Sequence, residues 1–233
     1  FKTDKECTVR IDVLGRTPEA TISHEFNDYR IDHQIPVYGL YEDDTTRVQL
    51  TLTDRSGKSS SHVILIKTGA LPDNGLIDFN PQWTTLNESQ MIDGLTFTVR
   101  PDGNDYANMT AYDTNGDLRC VLTNVGFVTP IRRLADGHIL MHSRKTQRGY
   151  FQMSFYEMDP LGKVYTEVLR NGVHHETVKL SNGNYLVDSE VPNRHTTEDF
   201  IVELDGQTGE KVREWDLTKI MDMKNYVANP HYD

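Results

Sequence analysis

Residues 171–187 read NGVHHETVKLSNGNYLV. Two adjacent histidines, His174 and His175, open one apparent strand. Ser181-Asn182-Gly183-Asn184 then turns the chain into a second strand over 184–187. Asn182-Gly183 is the pair that supplies the positive φ angles of a two-residue hairpin. The same hairpin stands 46 residues earlier, where RLADGHIL at 133–140 matches KLSNGNYL at 179–186 and Gly137 matches Gly183. A second kind of turn keeps the same interval: Asp113, Asp159 and Asp205 each precede a glycine and then an apolar-polar run. Two hairpins in each repeat predict four strands per unit, the make-up of a propeller blade.

The repeat isolates the histidines. Shifted back by one repeat, His174 falls on Val128 and His175 on Thr129, while Gly172 falls on Gly126 and Leu180 on Leu134. A scaffold residue recurs in every unit; a site residue need not. His174 and His175 are therefore the candidate site residues. Neighbours on a strand face opposite sides, so at most one of the two points to a given surface.

Outward from the repeat, the chain reads as all-β. Thr8 to Leu14, Val48 to Thr53 and His62 to Thr68 alternate or run apolar, with turns at Gly15 and at Asp54-Arg55-Ser56-Gly57-Lys58. Short strands at this spacing predict a small antiparallel β-sandwich over residues 1–76. The pattern then fails through Leu71-Pro72-Asp73-Asn74-Gly75 and Asn80-Pro81, so 77–92 reads as a linker, with Trp83 packing onto a neighbouring domain. Residues 93–233 hold the opening blades of a β-propeller. Two recognisable units fall short of the four to eight that close a propeller. The expectation is that this chain is the front part of a larger protein, with the remaining blades as its partner.

Net charge is -11, which sets nucleic acid and anionic membrane aside as partners. An anionic ligand would need a local positive pocket. No run approaches the roughly 18 apolar residues of a membrane helix. Cys7 and Cys120 match no metal spacing; a disulfide and two separate buried thiols both stay open.

HQIPVYGLYEDDTTRVQLTLTD at 33–54, followed by HHETVKLSNGNYLV at 174–187, resembles the bacterial arylsulfate sulfotransferases. The resemblance implies a small N-terminal β-sandwich and a six-bladed propeller, only the first blades of which lie in this chain. It implies a PAPS-independent enzyme without cofactor or metal, periplasmic or secreted. The reaction would be transfer of a sulfuryl group from a phenolic sulfate ester to a phenol acceptor. A sulfohistidine intermediate would carry the group, on a nucleophile outside this chain. His175, directly before Glu176, matches the family's early-blade histidine better than His174 does. Its implied role is to hydrogen-bond the sulfuryl or bridging oxygens. Imidazole suits this because it can donate or accept a proton near neutrality. A covalent two-step route has ping-pong kinetics as its fingerprint. Whether the protein forms a homodimer stays open.

Other residues take ordinary readings. His138, His142 and His195 read as surface or turn residues. Arg144, Lys145 and Arg148 read as a solvated loop. Asp113, Asp159 and Asp205 read as turn chemistry and not as metal ligands. Tyr29, Tyr38 and Tyr41 read as packing. Asn87-Glu88-Ser89 and Asn108-Met109-Thr110 match a glycosylation sequon that carries no meaning in a bacterial protein. Two rival functions remain: a non-catalytic propeller that binds a protein or glycan, and an arylsulfatase-like hydrolase.

Overall fold

The computed structural model describes residues 1–71, 94–101, 107–125, 131–143, 146–148, 151–189 and 200–221. Their regular secondary structure is almost all strand, as the sequence predicts, joined by turns and irregular segments; one short 3-10 turn (Pro18–Ala20) and one helical turn, α1 (Leu217–Ile220), are the helical elements among the described residues. None of their helices is long and apolar enough to cross a membrane. The chain divides into two compact units, 1–98 with 109–121, and 99–108 with 122–233.

In the first unit, β1 (Lys2–Val13), β2 (Ile22–Asp32), β3 (Thr45–Asp54) and β4 (Ser59–Lys67) form an antiparallel sheet in the order β2-β1-β3-β4. Register follows the apolar positions: Ile11 lies opposite Leu50 and Val13 opposite Val48. A slip of one residue would turn this set to the other face. Ile11, Val13 and Val48 make the core, and Ile35, Val37 and Leu40 from the irregular segment after β2 pack over it. β5 (Thr96–Pro101), β6 (Ala107–Tyr112) and β7 (Leu118–Val125) form a three-stranded sheet.

The turn between β6 and β7 carries a fully buried ion pair. Arg119 Nη1 donates to Asp113 Oδ2 at 2.7 Å, and both side chains are 0% exposed. The guanidinium also donates to the carbonyls of Gly39 at 2.6 Å and Ala20 at 2.8 Å. Tyr41 donates its hydroxyl to Asp113 Oδ2 at 3.1 Å, and its ring lies 4.0 Å from the Arg119 Cζ. One arginine thus satisfies two loop carbonyls that burial would otherwise strand. Tyr41 is packing, as expected, and a hydrogen-bond hub as well. Cys7 and Cys120 are free thiols, and burial pushes Cys120 above the usual thiol range.

The second unit holds β8 (Arg132–Arg133), β9 (Ile139–His142), β10 (Thr146–Arg148), β11 (Phe151–Met158), β12 (Val164–Lys179), β13 (Tyr185–Ser189), β14 (Phe200–Leu204) and β15 (Lys211–Asp216). They form one open sheet in the order β15-β14-β13-β12-β11-β9-β8, with β10 beside β11. The 46-residue rhythm is visible in it. β8-β9-β11-β12 is one four-stranded meander, and β12-β13-β14-β15 is the next. The two share β12, whose first part pairs with β11 and whose last part pairs with β13. Burial alternates along β13 and β14 with period two, placing Tyr185, Val187, Phe200, Val202 and Leu204 in a core with Leu140, Phe155, Val168 and Val173.

The glycine hairpins repeat bond for bond, while the third aspartate turn is one residue longer than the first two. Leu134 N donates to His138 O at 2.8 Å, and Leu180 N donates to Asn184 O at 2.8 Å. Asp113, Asp159 and Asp205 each accept two backbone N–H groups on Oδ1 within their own turn. That is turn chemistry, the reading the spacing suggested.

Two local expectations are corrected. The Asn182-Gly183 hairpin is not a two-residue loop: Leu180 and Asn184 are the closing pair, and Gly183 alone takes a left-handed φ of 89°. This is the three-residue loop, a turn followed by one left-handed glycine. The histidine pair also does not open a strand; it lies well inside the 16-residue β12. Strand β12 runs on from the preceding meander, so its start precedes the pair. The linker at 77–92 with Trp83, the loop residues Arg144, Lys145 and His195, and the sequon at 87–89 lie outside the described residues.

Candidate functional site

The path of β12 breaks at the histidines. His174 pairs with Asp188 and Thr177 pairs with Val187, so His175 and Glu176 are extra residues on the bulged strand. His175 has φ 53°, and Asp43 is the only other described non-glycine residue with positive φ. A left-handed residue with a Cβ is held at a strain of order 1–3 kcal/mol, and such positions cluster at functional sites. Bulges re-aim side chains. Here the bulge sets both His175 and Glu176 out to solvent.

Contacts on either side hold the bulge. Glu176 accepts from Arg132 Nε and Nη2, an ion pair that ties β12 to β8. On the other side Thr177 turns inward, 1% exposed, and its hydroxyl lies 2.7 Å from His142 Nε2. Gly172, just upstream, supplies another left-handed turn with φ 80°. The sequence placed His142 at the surface or in a turn. The structure corrects this: His142 ends the fully buried run of β9 and supports the bulge from beneath. The signal was its place directly after Ile139-Leu140-Met141. His174 stands opposite Asp188 in the register.

A second polar cluster lies at the turn end of the same sheet. Glu157 is buried and uses both carboxylate oxygens. His138 Nδ1 lies 3.0 Å from Oε1, and Oε2 accepts from Lys179 Nζ at 2.5 Å and from the Tyr185 hydroxyl at 3.0 Å. Burial alone would raise the Glu157 carboxyl. The hydrogen bonds from Lys179, His138 and Tyr185 outweigh it and hold the group below the usual range. Tyr185 is pushed the other way, by burial first and then by Glu157. Asp136, His138 and Glu157 could each offer a metal one ligand atom, all within 4.8 Å of one another. Lys179 already supplies the positive charge there, so the geometry is that of an ion-pair clasp. One repeat later Glu203 accepts from Asn184 Nδ2 at 2.7 Å, which marks the glutamate-to-turn clasp as part of the repeating scaffold. His138 is thus a scaffold residue.

The clasp has a measurable consequence. A depressed carboxyl adds stability that is present above its unfolded value, near pH 4.3, and is lost as pH falls through the folded value. In Glu157→Gln, denaturant unfolding is expected to show about 1–3 kcal/mol less stability at pH 7 and a flatter decline below pH ~4.3. Parallel acid limbs for the two proteins would refute the role given to Glu157.

Family comparison places this architecture. The profile described as Arylsulfotransferase (ASST) matches residues 82–232, more than half of the chain. The profile described as Arylsulfotransferase Ig-like domain matches residues 1–69. The chain belongs to the arylsulfotransferase family. Comparisons with curated proteins and with solved structures find no match.

Proposed function

We infer that this chain takes part in sulfuryl transfer from a phenolic sulfate ester to a phenolic acceptor, with no PAPS. The family match over 82–232 carries this reading. The bulge at His175 supports the choice of residue, because the fold keeps a strained, solvent-facing imidazole where the neighbouring repeat has Thr129. The matching meanders are opening blades of a propeller, and His175 faces the shared axis. There the imidazole hydrogen-bonds the sulfuryl or bridging oxygens while a different histidine attacks sulfur and carries the group. The S–O bond to the donor phenol breaks as the S–N bond forms; the acceptor phenol then reverses the exchange. His174, on the same strand, is the second choice for His175's role. A periplasmic or secreted location fits this reading.

Mixing the full-length protein with 4-nitrophenyl sulfate tests the class of reaction. Phenolate release that requires an added phenol is the expected result. Release at the same rate in water alone would make the protein a hydrolase, and no release with any acceptor would make it a binding module.

A further inference from the structure

Strand β4 lies at one edge of the first unit's sheet, and its sequence, SSSHVILIK at 59–67, is apolar where it faces solvent. Val63 is 45% exposed, Ile64 41% and Leu65 67%. No described strand pairs with its outer edge. It pairs with β3 in unbroken register from Thr45↔Lys67 to Thr53↔Ser59. The two ends of that ladder show which backbone groups are already used. Asp54 N donates to Lys58 O at 3.0 Å, and Thr68 N donates to Asp44 O at 3.0 Å. Hydrogen-bonded pairs alternate along an antiparallel ladder, so the even-numbered residues of β4 bond to β3. The N–H and C=O groups of Ser59, Ser61, Val63, Leu65 and Lys67 therefore point outward. The opposite edge, β2, is built differently: its pairing with β1 shifts register at two places, and it carries Glu25, Asp28, Arg30 and Asp32. Bulges and charges are what keep a sheet edge from pairing with another chain. β4 has no bulge, and its formal charge is Lys67 alone, at the last position.

We propose that β4 is a dimerisation edge, pairing antiparallel with β4 of a second copy of this chain about a two-fold axis through Ile64. Outward-pointing groups must meet their like, so odd-numbered residues stand opposite odd-numbered ones. Centred on Ile64, Val63 lies opposite Leu65 of the second copy, and Ser61 lies opposite Lys67. The exposed apolar residues then cover one another, Val63 with Leu65 on one face and Ile64 with its own copy on the other. Ile64 is paired with the core residue Val48, so the contact carries the first unit's core across the axis. The neighbouring registers match less well. Centred on Val63, Leu65 meets Ser61; centred on Leu65, Val63 meets Lys67. Charge favours a second copy as the occupant. Exposed Lys58 stands at the hairpin end of β4, and Glu42, Asp43 and Asp44 border Thr68 and Gly69 at the other end. Two-fold pairing brings Lys58 of each copy toward the acidic turn of the other, so the same attraction acts at both ends. Such self-complementarity is what a two-fold interface requires. This interface is independent of the sulfuryl-transfer reading.

Sedimentation equilibrium of the full-length protein at micromolar concentration tests it, and a dimer is the expected result. Val63→Pro removes one outward N–H and leaves the bonds to β3 in place. Leu65→Lys sets a charge into the contact. Each is expected to raise the dimer dissociation constant at least about tenfold, with the far-ultraviolet circular dichroism spectrum unchanged. Should the proline variant fail to fold, Leu65→Lys, at an exposed side chain, decides alone. Air oxidation reads the register. Ile64→Cys is expected to form a disulfide-linked dimer, because Cβ atoms directly opposite each other lie about 4.5–5.5 Å apart. Val63→Cys, which faces Leu65, is expected to cross-link far less. A monomeric wild type overturns the interface, and so does a dimer that Leu65→Lys leaves intact. Equal cross-linking by the two cysteine variants overturns the pairing about Ile64.

Discussion

Asp113→Asn is expected to destabilise the first unit by about 3–5 kcal/mol, while Asp159→Asn changes stability by less than about 1 kcal/mol. The two aspartates hold the same position in successive repeats and close the same turn. In each, Oδ1 accepts two backbone N–H groups, which an asparagine oxygen still accepts. They differ in Oδ2. In Asp113 it takes the buried Arg119 and Tyr41, whereas in Asp159 it faces only the exposed Tyr165 hydroxyl at 3.2 Å. An amide at 113 would point a donor at a guanidinium sealed from water and leave that charge uncompensated. Urea unfolding of both variants measures the difference. Equal, small losses would mean that the Arg119 cluster does not hold the first unit together.

The second large effect concerns His175. His175→Gly is expected to leave stability unchanged or raise it by up to about 1 kcal/mol, because glycine adopts the left-handed φ without strain. Transfer should nevertheless fall by about 10²-fold or more, the usual contribution of a proton-donating or -accepting side chain. His175→Ala should lose the same activity and also some stability, since alanine keeps the strain and loses the imidazole. The pair separates the backbone role from the chemical one. Near-normal transfer in the glycine variant would remove His175 from the mechanism, whatever its stability.

Much of this was legible in the residues. The 46-residue rhythm reported four strands per unit because hairpin turns need specific residues at fixed offsets: an Asp whose Oδ1 gathers backbone N–H groups, and a Gly in the left-handed region. Those demands are local, so they show in a single chain. The repeat also singled out the histidine pair, through the contrast with Val128 and Thr129. What stayed hidden depends on distant partners or on register. Alternation alone gives no sign that His175 and Glu176 bulge out of β12, because the extra residues are counted only against Asp188 and Val187 across the sheet. Arg119 looks like an ordinary polar strand residue until Gly39, Tyr41 and Ala20 arrive from far earlier in the chain. His142 looked superficial because a histidine after three apolar residues can end a strand or continue its buried face, and only Thr177 opposite decides. The two-residue hairpin was the natural inference from Asn-Gly, yet the closing pair Leu180 and Asn184 sits one position wider.

We propose that the bulge in β12 presents the His175 imidazole to the sulfuryl group. A crystal structure of the full-length protein with an unreactive aryl sulfate analogue tests it most directly. A His175 ring nitrogen is expected within hydrogen-bond reach, about 3 Å, of a sulfuryl or bridging oxygen. An analogue bound in productive geometry against other histidines, with His175 turned away from it, would remove His175 from the reaction.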